Sequence, residues 1–374
     1  MTVPVISSDM RRLLLSVMML LCGVPALCCT SIIISGQATA DGRPLLLKHR
    51  DTGQLDNAVG YFKGPRYTFI GLVNAESAFN GEVWTGTNEA GFSIMNTASY
   101  NIKDDDVPDS RMDQEGVLMY RALGICASLL EFEYYLDTLS RPLGVEANFG
   151  VIDAFGGAAY YEVNNHSWVK YDVNVLPEGY RVVTNFSESG RYEDRRGVER
   201  YETATEIFSE MLSSRPYKVD HRNIFANISR SFRGSEKGKA YVIPRNITSA
   251  SIVIEGVKAG DNPLQTVMWT ILGYPPCGVA LPLMVGNGCL LPPEVMPDAT
   301  GHSVLCNEAL QRKAAGMDIR ETCAEVDAEI ASVFLPVYEQ WVSGIIKETQ
   351  FFARYAGMKS SFLKIYRRKF AKNE

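Results

Sequence analysis

Residues 29–51 read CTSIIISGQATADGRPLLLKHRD. The two runs inside it, SIIIS (31–35) and PLLL (44–47), do not alternate apolar with polar positions. Strands of this kind are covered on both faces. Asp41-Gly42 between them is a turn pair. The stretch therefore predicts two neighbouring strands with a second sheet on one side and helices on the other. It also puts a cysteine at the head of the first strand and the charged run KHRD at the tail of the second.

Downstream, AVGYFKG, YTFIGLV, EVWTGTN and GFSIMNT are short, β-branched or aromatic, and bounded by Gly, Pro, Asn or Asp, the pattern of further strands. Residues 114–139 turn helical, and strands return with NFGVIDAFG, AAYYEVN and YRVVTN. A helical stretch follows Asn185, then a polar region to about residue 249, then a strand pair in SASIVIEGV and TVMWTILG. GYPPCGVALPLMVGNGCLLPPEVMP reads as a wrapping segment, and the last 50 or so residues as helices with a basic, amphipathic end. The acidic run NIKDDDVPDSRMDQEG lacks a calcium-loop pattern and reads as a solvated face. Two sheets covered by helices in one domain is the simplest assembly.

Upstream of Cys29, Arg11 and Arg12 precede an apolar core, Leu13–Cys22, and a less apolar tail, Gly23–Cys28. This is the layout of a secretory signal peptide, and the core is shorter than the roughly 20 apolar residues of a membrane span. Ala26 and Cys28 occupy the two small positions of an A-x-A-like site, so the cut is expected between Cys28 and Cys29. Neither cysteine has the neighbours of a lipoprotein signal, since Leu27 precedes Cys28 and Ala26 stands three before Cys29. The expectation is a leader at 1–28, a single domain at 29–374 with a C-terminal helical segment, and a secreted or periplasmic protein with no stable membrane span.

Net charge is −6, and 46% of residues are hydrophobic against 21% charged. There is no global basic field to bind nucleic acid. Of the six cysteines from Cys29 on, spacing allows Cys277–Cys289 or Cys306–Cys323 pairs without deciding connectivity. No CxxC or Cys/His cluster has zinc spacing, so no metal or cofactor is expected. A homo-oligomer stays open.

A cysteine at a mature N-terminus differs chemically from an internal one. Its free amine has a pKa of about 7.7–8.0, close to the thiol's value of about 8.5, so one residue can hold both nucleophile and base. The thiolate attacks a carbonyl, and water or an amine releases the acyl group. A carboxylate that orients the ammonium and a cation that favours the thiolate would complete such a site. In a regular strand Lys48 and Arg50 share one face, His49 and Asp51 the other, so both Lys48 and Asp51 meet Cys29 only if the chain bends after Lys48.

The leading Cys29-Thr30, the Asp41-Gly42 turn and the strand ending Lys48-His49-Arg50-Asp51 resemble the start of the choloylglycine hydrolase and penicillin acylase group of N-terminal nucleophile (Ntn) hydrolases. They are most similar to its linear-amide hydrolases, which include acyl-CoA:6-aminopenicillanate acyltransferase-like proteins. The resemblance implies an α+β fold, a four-layer αββα sandwich of two mainly antiparallel sheets. It implies that Asp51 holds the amine of Cys29. Lys48 takes the place where many members have Arg beside the thiol, and Arg50 is the other cation available.

Two more segments carry the likeness. VWTGTNEAGFSIMNT is similar to the family's NE-x-G hairpin; Asn88 and Gly91 suit a type I turn in their own right. Asn96, two residues short of the position counted for the bile-salt branch's oxyanion Asn, is a substrate-binding candidate with Arg50. VVTNFSESGRYEDRRGVERY resembles the strand ending in Thr-Asn, whose Asn donates to the oxyanion, followed by an Arg of the site. Asn185 matches the first and Arg196 is the choice for the second, with Arg195 behind it.

The function implied is cleavage of a linear amide C–N bond in a small N-acyl compound, through a thioester on Cys29. Transfer of the acyl group to an amine is the close alternative. A papain-like site of Cys126 with His166 or His221 lacks that family's local signature. A non-catalytic exported binding protein would not need Lys48, Asp51 or Asn185.

Overall fold

The computed structural model describes residues 29–371 except 105, 234–242 and 287; the expected leader at 1–28 lies outside the described residues. The stretch 29–51 forms β1 (Thr30–Ile34) and β2 (Leu45–Asp51), and every residue of both is buried. They pair antiparallel, Thr30 opposite His49 and Ile34 opposite Leu45. β10 (Tyr180–Val183) flanks β1, and β11 (Thr248–Glu255), β12 (Val267–Leu272) and β13 (Leu281–Leu283) extend the sheet beyond β2 in the order β10-β1-β2-β11-β12-β13. The second sheet runs in sequence order: β3 (Asn57–Lys63), β4 (Thr68–Asn74), β5 (Thr85–Asn88), β6 (Ser93–Ala98), β7 (Ala147–Ile152), β8 (Ala158–Val163) and β9 (Trp168–Asp172). All the pairings in both sheets are antiparallel.

The second sheet shows why its strands read as they do. Alternate residues serve two cores, as the period-2 pleat requires. Ile94, Phe149, Val151 and Tyr161 pack beneath α1 (Glu115–Ile125) and α2 (Leu129–Thr138). Met95, Ile152, Ala158 and Tyr160 face the other sheet. Gly150 sits where the sheets approach closely; a Cβ there would lie 2.5 Å from Met95 Cε and 3.2 Å from Ile33 Cδ1. On the outer face of the first sheet lie α3 (Val198–Met211), the short α4 (His221–Ile224), α5 (Val304–Ala314), α6 (Arg320–Val342) and α7 (Glu348–Phe370). Trp269 of β12 meets Phe334 of α6 edge to face, and Phe334 in turn meets Phe351 of α7. Each such fully buried side chain contributes about 1.5–3 kcal/mol. The layers are helix, sheet, sheet, helix: the four-layer αββα sandwich.

Several boundaries differ from the sequence reading. The helix expected over 114–139 is two, because Cys126 takes an extended conformation and Ser128 caps the second, accepting from Glu131 N at 3.2 Å. β9 was not foreseen: it is the outermost strand of its sheet and only half-covered. The wrapping segment includes β13, and the C-terminal helices begin as early as Val304. In α7 Phe362, Ile365, Tyr366 and Phe370 are buried, while Lys369 reaches Glu325 at 2.5 Å, so the basic end is a one-faced helix. The six cysteines among the described residues are free thiols, so neither Cys277–Cys289 nor Cys306–Cys323 is bridged.

Candidate active site

Cys29 lies one residue outside β1 and is 5% exposed. Its Sγ approaches the carbonyl oxygen of Asp51 at 4.0 Å, so the head of the first strand and the tail of the second meet. The side chains of KHRD then divide between the two faces of β2, as a regular strand demands.

The face turned to the second sheet receives Lys48 and Arg50. Lys48 Nζ donates to the carbonyl oxygen of Asn96 on β6 and to Asn96 Oδ1 at 3.0 Å. Burial holds its pKa below the ordinary lysine value, against the charge and hydrogen bonding of the Cys29 sulfur, which favour the ammonium. Arg50 donates to Asn57 Oδ1 on β3 and to Asn74 Oδ1 on β4 at 2.8 Å, with its guanidinium 4.7 Å from the Trp84 ring centroid. Burial lowers its pKa to about 9.

The face turned to the helices receives His49 and Asp51. Asp51 Oδ1 accepts from Thr248 Oγ1 at 2.6 Å, and Arg245 Nη1 stands 3.6 Å from Oδ2. Oδ2 is buried with no hydrogen-bond partner among the described residues. Burial pushes the Asp51 carboxyl up to about 6, opposed by Arg200, Thr248 and Arg245. His49, its Nε2 4.0 Å from Asp51 Oδ1, is pushed down to about 3 by burial and by Arg200, so it is neutral at pH 7. The pairing of β2 with β11 shifts between Thr248 and Ala250, so Thr248 rather than Ser249 stands opposite Asp51. The expected bend after Lys48 is not in β2, which stays a strand to Asp51. Cys29 instead sits off the strand end, where it is not held to either face.

Asn185, just past β10, is fully buried. Its Nδ2 donates to Ala98 O at 2.9 Å, and its Oδ1 accepts from Arg200 Nη2 at 2.7 Å. Arg200 is the residue that sequence reasoning missed. Its Nη1 donates to Cys29 O at 2.6 Å and to Thr30 Oγ1 at 3.1 Å, so one guanidinium joins the nucleophile's backbone to Asn185. Arg196 does not join them. Its side chain is exposed, and only its backbone bridges Asn185, because helix α3 begins two residues later than Arg196 and turns Arg200 inward. Arg195 lies over the Phe186 and Tyr192 rings. Gly197 makes this geometry: φ is +73°, and a Cβ there would fall 2.3 Å from Arg200 Nη2. The available signal was a cation inside the first turn of a helix, where it opposes the dipole; that argument points to Arg200 in GVERY as well as to Arg196.

Asn88 is structural. Its Oδ1 accepts from Ala90 N and Phe92 N at 3.0 Å, and its Nδ2 bonds the carbonyls of Leu123 and Cys126. Cys126 meets neither histidine. Burial pushes its thiol up to about 12, His166 bonds Asp106 on the surface, and His221 bonds Glu255 in the opposite layer. Among the described residues, Asp104, Asp106 and His166 alone bring three metal-type ligand atoms within 4.8 Å, on two largely exposed loops.

No family model matches the sequence, and no curated protein matches it. Solved structures do resemble it in shape. An N-acylethanolamine-hydrolyzing acid amidase ortholog from Caenorhabditis elegans is 19% identical, over 63% of this chain and 93% of that one, with a TM-score of 0.46. A mutant of conjugated bile acid hydrolase from Clostridium perfringens is 11% identical, over 69% and 92%, at 0.44. Penicillin V acylase from Agrobacterium tumefaciens is 12% identical, over 68% and 86%, at 0.41. The likeness is one of overall shape.

Proposed function

We propose that the protein is an exported cysteine Ntn hydrolase of the choloylglycine hydrolase and penicillin acylase group. It cleaves a linear amide C–N bond of a small N-acyl compound through a thioester on Cys29. One observation carries this reading: a buried thiol at the head of β1 has an amine, Lys48, on one side of β2 and a buried carboxylate, Asp51, on the other. A packed core has no use for that arrangement, since buried charge is costly even when paired.

In this reading removal of residues 1–28 frees the α-amine of Cys29. The ammonium is the donor proposed for Asp51 Oδ2, whose second oxygen Thr248 already occupies. Arg200 holds the Cys29 carbonyl and so sets the residue's orientation. Asn185, aligned by the same guanidinium, is proposed to donate to the tetrahedral oxyanion, a contribution of about 2.7–4 kcal/mol for one such group. Water then releases the acyl group, and an amine at the same thioester would give transfer instead.

The test is mass analysis of the exported protein together with a panel of N-acyl amides of varied acyl chain, hydrolysis and transfer products being separated. A mature chain beginning at Cys29 and turnover that disappears in Cys29→Ala are expected. A mature start at any other residue removes the Ntn mechanism.

A further inference from the structure

Thr248 is the first residue of β11, where the pairing with β2 skips one position. A regular ladder, continued from Ala250 opposite Arg50, would set Ser249 opposite Asp51. The bulge sets Thr248 there instead, and the Ser249 hydroxyl is left buried with no hydrogen-bond partner among the described residues. Such an orphan in a packed sheet asks for a compensating gain. The gain is on Thr248. The chain before it closes a turn, Thr248 N donating to Arg245 O at 2.9 Å and Arg245 N donating to Thr248 Oγ1 at 2.8 Å. Thr52 N donates to Ile247 O at 2.9 Å, which ties the same turn to the end of β2.

A hydroxyl has one hydrogen and two lone pairs. A backbone N–H can only donate, so Arg245 N fills one lone pair and leaves the hydrogen to another partner. An ionised carboxylate can only accept, and Asp51 Oδ1 lies 2.6 Å away. His49 Nε2, at 3.4 Å, is longer than an ordinary hydrogen bond. The Thr248 hydrogen is therefore committed to Asp51 Oδ1, and the backbone of the 245–248 turn sets that direction. Oδ2 of the same carboxylate is the oxygen without a hydrogen-bond partner among the described residues. The charged and titratable groups around Asp51 are Arg245, Arg200 of α3, His49 beside it, Lys48 on the other face of β2, and Lys313 of α5 with Tyr274.

We propose that Thr248 is a positioning residue: its hydroxyl, aimed by the 245–248 turn, pins Asp51 Oδ1 and so presents Oδ2 to the α-amine of Cys29. The assignment rests on the Ntn reading above. A carboxylate held at one oxygen does not turn about its Cβ–Cγ bond, so the amine meets a fixed acceptor. The same hydrogen bond favours the ionised carboxylate against the burial that drives it toward the acid. Thr248 touches neither the thiol nor the substrate in this assignment and acts through Asp51.

The experiment uses the mature protein with Thr248→Val, which keeps the shape and removes the hydroxyl, and Thr248→Ser, which keeps the hydroxyl. Folding is checked by circular dichroism. The kcat and KM for an N-acyl amide are measured against pH, for each variant alone and combined with Asp51→Asn. Thr248→Val is expected to lower kcat/KM at pH 7 by about tenfold or more and to move its acid limb up by about one pH unit. Thr248→Ser is expected to stay within about threefold of wild type with the acid limb in place. Added to Asp51→Asn, Thr248→Val is expected to cost no more than about twofold further, because the residue acts through that carboxylate. A Thr248→Val enzyme with the wild-type rate and acid limb, while Cys29→Ala is inactive, overturns the positioning role and leaves the Ntn reading standing. A full further loss on the Asp51→Asn background overturns it in the same way. A wild type inactive across the panel overturns the reading and the proposal together. A second measurement needs no variant. In wild type carrying ¹³C-threonine, the Thr248 hydroxyl proton is expected in slow exchange and is expected to move upfield as Asp51 is protonated. A hydroxyl proton in fast exchange, or one indifferent to that titration, overturns the proposal.

Discussion

The two faces of β2 at its C-terminal end are built from consecutive residues and are chemically opposite. Toward the second sheet, Lys48 and Arg50 hydrogen-bond, among the described residues, to neutral asparagines: Asn96, Asn57 and Asn74. Toward the helices, Asp51 sits among Thr248, Arg245 and Arg200, with a neutral His49 beside it. A strand pleat is enough to sort four successive charged or titratable residues this way. The cost is that both sets are buried, so each pKa that moves does so chiefly because water is gone. Cys29 escapes the sorting because it precedes its strand, and its Sγ lies at the tail of β2, where the two faces end.

The largest break in this comparison is at the meeting point. Cys29→Ala is expected to lower turnover by at least about four orders of magnitude and to abolish thiol labelling, whereas Cys126→Ala, beneath the other helix layer, keeps activity within about threefold. Next comes the carboxylate face. Asp51→Asn is expected to cut turnover by about 100-fold or more while the thiol remains present and the fold intact; a near-normal rate would show that the helix-side face is not part of the mechanism.

The pH response sharpens the same face. Asp51 must be ionised to hold an ammonium, so kcat/KM is expected to fall as pH drops through about 6. Its effect on stability has the opposite sense. The folded carboxyl binds its proton more tightly than the unfolded one, so its contribution is full below the unfolded value of 3.8 and is lost as pH rises through about 6. In the chain that still carries residues 1–28, Asp51→Asn is therefore expected to raise Tm at pH 7, which calorimetry would show.

The smallest effects separate two arginines four residues apart. Arg200→Met removes the guanidinium donor to Cys29 O and Asn185 Oδ1 and is expected to cost about 1–3 kcal/mol, read from urea midpoints. Arg196→Ala, on an exposed side chain, is expected to stay within about 0.5 kcal/mol and to leave turnover unchanged.

Much of this was legible before any coordinates. Unbroken apolar runs in 31–35 and 44–47 announce strands covered on both faces, because alternation is lost only when neither face meets water. The order of Cys29, the Asp41-Gly42 turn and KHRD marks where chemistry gathers. The backbone carbonyl of Asp51 meets Cys29, Arg200 links Cys29 to Asn185, and Lys48 is held by Asn96. Arg50 is held between Asn57 and Asn74. The arginine after Thr184-Asn185 was misplaced because helix starts are poorly marked where a left-handed Gly, not Ser or Asp, caps them.

The sequence by itself determined which side chains share a face of β2, since a period of two needs no partner to be read. Only the tertiary structure decided what each face meets. Asn96, Thr248 and Arg200 lie 48, 197 and 171 positions from their partners Lys48, Asp51 and Cys29, and no local rule spans such distances. They are brought there by packing two sheets and a helix layer around one buried core.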